Sequence, residues 1–139
     1  MAGGNRMKNS LRFAIAMVLM HLVVNVVHGA AHHSLAIGLT GAESLFVEID
    51  ILAAPLVATG LLLTKWRRGG ALLLAVSMAG ALVFGVYKHF ITGGPDNALT
   101  VAPGAWGTTF QITATLLAIT EALACWAGIA AAKQSGSEA

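Results

Sequence analysis

Residues 13–37 read FAIAMVLMHLVVNVVHGAAHHSLAI. The stretch is long enough and apolar enough to cross a bilayer, yet it holds four histidines and an asparagine. On a helix turning about 100° per residue, His21, Asn25, His28 and His32 fall within roughly 60° of one another. His33 lies about 100° from His32 and leaves that stripe. Ionisable groups at membrane depth are costly and face a bundle interior or a wet cavity. The stripe is therefore the place to look for function.

The rest of the chain is written in the same style. Of its 139 residues, 57% are hydrophobic and 10% charged, with a mean hydropathy of +0.78. A soluble domain carries about 25% charged residues, so the imbalance points to lipid. Three further apolar runs follow, at 45–64, 71–91 and 106–132. Each is long enough for a hydrocarbon core of about 30 Å. The fold expected is all-α, a single-domain integral membrane four-helix bundle running up-down-up-down. Pro55 should open or kink the second span, and Gly80 and Gly85 allow close approach on the third. Residues 1–10, a short loop over 40–44, the turn-rich loop 92–105 and the tail 133–139 lie outside the spans.

Charge fixes the orientation. Arg6, Lys8, Arg12, Lys65, Arg67, Arg68 and Lys133 fall on one side of a four-crossing chain, and the loops of the other side carry only Glu43 and Asp96. The positive-inside rule then puts both termini in the cytoplasm, in the cell membrane (the inner membrane if the source is bacterial). Short basic clusters at span ends make no nucleic-acid surface. Lipid is the expected environment, and the alanine- and glycine-rich third and fourth spans would suit a homo-oligomer or a larger membrane complex. Gly29-Ala30-Ala31 resembles a signal-peptide cleavage site, but His21 and Asn25 interrupt the apolar centre and apolar character resumes at Leu35, so the span is read as retained. Cys125, the one cysteine, forms no intrachain disulfide and reads as a packing residue.

Depth sorts the polar groups. At about 1.5 Å per residue, His21 and Glu121 both fall near mid-membrane. His28, His32, Glu48, His89 and Gln111 fall about 24–30 Å from the positive end. Glu48 shares a stripe with Pro55 and Thr59. Of the neighbours Lys88 and His89, Lys88 is long enough to snorkel outward, so His89 is taken as the inward group.

Three chemistries follow. The first is a transition-metal site built from His28, His32, Glu48 and His89, with Asn25 and Gln111 behind the ligands; imidazole suits zinc, copper, iron and nickel. The second is haem b ligated by His89 with His28 or His32. The third is a proton or ion path through His21 and Glu121, which otherwise form a buried polar pair. Against all three stands a non-catalytic small subunit whose polar residues only hold helices together. No H-E-x-x-H motif or paired E-x-x-H motif is present, and Ser34 and Ser77 lack any elbow or triad context. Asp96, after Gly-Gly-Pro, reads as a turn residue.

Overall fold

The computed structural model describes the backbone of residues 2–136 and the side chains of residues 9–136. It is all-helical among the described residues, with four helices long and apolar enough to span a membrane. The first runs Ala2–Ser34, so the lead placed outside the first span, residues 1–10, is helical from Ala2 onward. The second covers Gly41–Leu62, the third Arg67–Ile91 and the fourth Ala105–Gly136. Met1 and residues 137–139 of the expected tail lie outside the described residues.

The third and fourth helices share the broadest contact, the first packs on the fourth and the second on the third, and the first and second meet over a narrower contact. Close approach of the central pair rests on Gly128. A Cβ there would lie 2.8 Å from the Ala71 carbonyl oxygen and 2.8 Å from the Ala75 nitrogen. Towards the positive end the core is apolar: Ala14, Val18, Ala58, Leu74, Met78, Ala124 and Ala127 are all buried. Ser10 Oγ accepts from Gln134 Nε2 at 2.9 Å, which brings the described ends of the first and fourth helices together.

The helix ends near the histidines are built by local rules. The first helix stops in a Schellman turn: Ile37 N–H bonds the His32 carbonyl at 3.0 Å and Ala36 N–H the His33 carbonyl at 3.2 Å. Ala36 takes the left-handed conformation that this turn requires, at φ 53°. The first span thus leaves the helix before 37. The second helix begins with a capping box, in which Thr40 Oγ1 accepts from Glu43 N–H and Glu43 Oε2 accepts from Thr40 N–H.

The second helix then widens into a π segment over Val47–Ala53. Proline at 55 explains where it ends, because Pro55 offers no N–H to the Ile51 carbonyl four residues back. A π turn encloses one more residue than an α turn. Val47, Ile51 and Pro55, four residues apart, consequently come to the inner side, and Glu48 turns away. The third helix closes with its own π segment, Tyr87–Ile91, whose last turn is tied by Thr92 N–H to the Tyr87 carbonyl at 2.9 Å.

Candidate metal centre and adjoining cavity

At the end of the bundle remote from the basic clusters, His28, His32 and His89 converge. One ring nitrogen from each lies within 4.8 Å of the others. His28 and His89 are buried and His32 half-buried. The rings stack edge to face around Phe110, with centroids 4.8 Å apart for His28–His32 and for His28–His89.

The second contact of each ring bears on where its proton sits. Thr113 Oγ1 lies 2.7 Å from the Thr109 carbonyl and 2.8 Å from His28 Nδ1, so its one proton turns to either. With the hydroxyl on the carbonyl, His28 carries its proton on Nδ1; with the hydroxyl on the ring, His28 carries it on Nε2. His89 Nδ1 donates to the Asp96 backbone carbonyl at 3.0 Å. His32 Nδ1 donates to the Ile37 carbonyl at 3.3 Å, an oxygen placed there by the Schellman turn. In the neutral ring, one nitrogen donates and the other offers a lone pair. In their neutral forms His89 and His32 thus keep Nε2 bare, and His28 does so in the first arrangement. His28 Nε2 and His89 Nε2 stand 3.2 Å apart, two lone pairs face to face in the first arrangement and a hydrogen bond from His28 to His89 in the second.

The loop 92–105 folds back over the histidines. Ala98 N–H bonds the His89 carbonyl at 2.8 Å, Asn97 Nδ2 bonds the Thr92 carbonyl at 2.7 Å, and Gln111 Nε2 bonds the Ala98 carbonyl at 2.8 Å. That fold-back carries Asp96 into the cluster. Its Oδ1 stands 3.0 Å from His89 Nδ1 and 3.4 Å from His32 Nε2, and its Oδ2 3.8 Å from Lys88 Nζ. Burial works against the carboxylate, but the His89 hydrogen bond, the charges that His89 and His32 carry when protonated, and Lys88 outweigh it and hold Asp96 below the usual carboxylate range. Lys88 Nζ also donates to Glu43 Oε1 at 2.8 Å, joining the start of the second helix to the end of the third.

Two expected participants are elsewhere. Glu48 is exposed and takes no part in the histidine group; the π winding of Val47–Ala53 has rotated it off the Pro55 face. Gln111, also exposed, ties down the loop and does not back a ligand. The acidic neighbour of the histidines is Asp96, and the group behind His28 is Thr113. Nothing in the sequence pattern marked Thr113 among the threonines of the fourth helix.

Deeper in, His21 Nδ1 and Glu121 Oε1 lie 3.8 Å apart, an ion-pair separation beyond hydrogen-bond reach. His21 Nε2 contacts Asn25 Nδ2 at 2.9 Å and the Ile51 carbonyl, the one that Pro55 leaves without its helical donor, at 3.3 Å. His21 Nδ1 and Glu121 Oε2 are buried without a hydrogen-bond partner. A cavity of about 250 Å³ connects the two levels. Its wall includes His28, His32, His89 and Asp96 at one end and Asn25 and Glu121 at the other.

No protein-family profile, curated protein or solved structure matches this chain. The functional reading therefore rests on the chemistry of these residues.

Proposed function

We propose that this integral membrane protein binds a transition-metal ion near the outer leaflet through His28, His32 and His89, with Asp96 as the adjacent carboxylate, and that it serves metal handling or redox chemistry. The observation that carries the reading is the convergence of three imidazoles, each with an oxygen at its Nδ1. Metal-ligating histidines characteristically donate the other ring N–H to a carbonyl, carboxylate or similar acceptor, which fixes the ring and raises its basicity. Here Thr113 Oγ1, the Asp96 carbonyl and the Ile37 carbonyl fill that role. With the His28 proton on Nδ1, the two Nε2 atoms at 3.2 Å repel unless a cation lies between them. That spacing is close to the separation of about 3.3 Å expected for two nitrogens on a tetrahedral ion with bonds of about 2.0–2.1 Å. Neutral imidazoles with one carboxylate suit zinc, copper, iron or nickel.

The same contact favours a bare ion over haem b. Axial imidazoles stand on opposite faces of the macrocycle, and nitrogens 3.2 Å apart leave no layer for it. The basic residues at the opposite end of the bundle support termini in the cytoplasm and a metal centre facing the outer side.

A second reading is kept alive by the same hydrogen bonds, since they link the first helix to the third and fourth. In it, Thr113 Oγ1 donates to His28 Nδ1 and His28 Nε2–H donates to His89 Nε2, so neutral rings satisfy one another without an ion and the network is helix glue. Metal analysis of tag-free, detergent-purified protein separates the two. The metal reading expects a stoichiometric ion that is lost in His28→Ala and in His89→Ala while unfolding stays cooperative, and no Soret band in haem-replete cells. Protein that stays metal-free through zinc, copper and cobalt titration, with variants that only melt earlier, overturns it.

A further inference from the structure

We propose that the cavity beneath the histidines is a binding pocket for a small, largely apolar molecule carrying one hydroxyl group, seated with that hydroxyl on Glu121 Oε2. The inference needs no metal ion. It starts from size: an apolar protein cavity of roughly 150 Å³ holds benzene, and this one measures about 250 Å³. The wall is mainly apolar, with Ile51, Phe84, Ala114 and Leu117 among the lining side chains.

The polar floor narrows the chemistry. Glu121 is 3% exposed, lines the cavity, and its Oε2 has no hydrogen-bond partner in the protein. Its other oxygen faces His21 Nδ1. A buried polar atom left unpaired costs free energy that a ligand group can recover. A charged head would have to be desolvated at membrane depth. A hydroxyl escapes that cost, and because it both donates and accepts it satisfies Oε2 whether or not that oxygen holds the carboxyl proton.

Gly85 stands between the two ends of the pocket. A Cβ placed there would lie 3.7 Å from Glu121 Oε2 and 4.0 Å from His89 Cδ2. These are ordinary contacts for a methyl group, but a longer side chain would project into the cavity. Below Glu121 the buried cluster around Leu74, Met78 and Ala124 is apolar, so the pocket ends there.

The test uses metal-free protein in phosphatidylcholine nanodiscs, titrated with 4-fluorophenol and with fluorobenzene and followed by fluorine NMR, with empty nanodiscs as the partition blank. We expect saturable binding of 4-fluorophenol, tighter than fluorobenzene by about two- to tenfold, the value of one hydrogen bond. Glu121→Leu should erase that preference, and Gly85→Leu should abolish saturable binding of both. Should Glu121→Leu fail to fold, Gly85→Leu still decides. Titrations that follow the empty nanodiscs, a Glu121→Leu variant that keeps the preference, or a Gly85→Leu variant that binds like the parent would overturn the inference. Because the ion is absent throughout, none of these results bears on the metal centre.

Discussion

Replacing Thr113 by valine separates the metal reading from the glue reading without touching a ligand. The substitution keeps the shape of the side chain and removes the oxygen 2.8 Å from His28 Nδ1, which in the metal reading accepts its proton. His28 is 5% exposed, so its N–H has no water to turn to. An unpaired buried donor costs about 1–3 kcal/mol, and that cost falls on the protein with or without metal. A second cost appears only with metal, because the ring is no longer held with its Nε2 lone pair towards His89. Loss of an outer-shell partner of this kind weakens metal affinity by about 10–100-fold, equivalent to about 1.4–2.7 kcal/mol. The assay is competition for cobalt or zinc against a chromophoric chelator, run beside thermal melts of the metal-free protein. Thr113→Val should lower both the melting temperature and the affinity, and Thr113→Ser, which keeps the hydroxyl, should sit near the parent in both. If Thr113→Val melts early but binds metal with the parent's affinity, the Thr113–His28 bond serves packing alone and the argument from the oxygens at Nδ1 fails.

Three further outcomes follow from the structure. Ala36 holds a left-handed φ of 53° that glycine adopts freely, so Ala36→Gly should stabilise by about 1 kcal/mol and raise the melting temperature by a few degrees; a fall would mean that the Schellman turn is misplaced. Gly128→Val sets side-chain atoms against the Ala71 and Ala75 backbone and should destabilise by about 1–3 kcal/mol, read by denaturant titration in micelles, and an unchanged midpoint would contradict the close packing of the third and fourth helices. Asp96 is held below its ordinary pKa, so its contribution to stability is full above the unfolded value of about 3.9 and is lost as pH falls through the lower folded value. Melts of the parent and of Asp96→Asn should therefore differ at pH 6 and converge as pH falls through the lowered folded value, and curves that stay apart in acid would place the stabilisation elsewhere.

What the sequence made legible follows from periodicity and length. Four apolar runs of sufficient length dictate four spans, because backbone groups in lipid must be satisfied within each helix. The spacing of His28 and His32 puts them on one face of any regular helix. The choice of His89 over Lys88 came from side-chain reach, and the structure has Lys88 paired with Glu43 and His89 buried. Glu48 fails where regularity fails: its face was computed at α-helical pitch, and seven π residues from Val47 to Ala53 intervene before Pro55. Asp96 and Thr113 depend on how loop 92–105 folds back and how the fourth helix is rotated, which are tertiary facts with no local periodic signal. The Thr40-Gly41-Ala42-Glu43 capping box was readable as a helix start. Read so, it would have begun the second span at Gly41 instead of 45 and shown Glu43 as a cap.

The vertical arrangement of the polar groups bears on the remaining alternative, a proton or ion path. His21 and Glu121 form the lower level and the three histidines the upper, joined by one cavity. A path across the membrane would have to continue from Glu121 towards the basic end. Among the described residues, that region holds buried Ala14, Val18, Leu74, Met78, Ala124 and Ala127, and Ser77, also buried there, turns its hydroxyl back onto the Leu74 carbonyl at 3.3 Å. An ion leaving Glu121 in that direction meets no free polar group, and the cost of an unsolvated charge at that depth is large on any scale. The same packing explains why Glu121 Oε2 and His21 Nδ1 are left without partners: both oppose the cavity or each other, and the apolar layer beneath offers neither a donor nor an acceptor. The polar system thus ends at Glu121 on the side of the basic clusters, where the apolar layer begins.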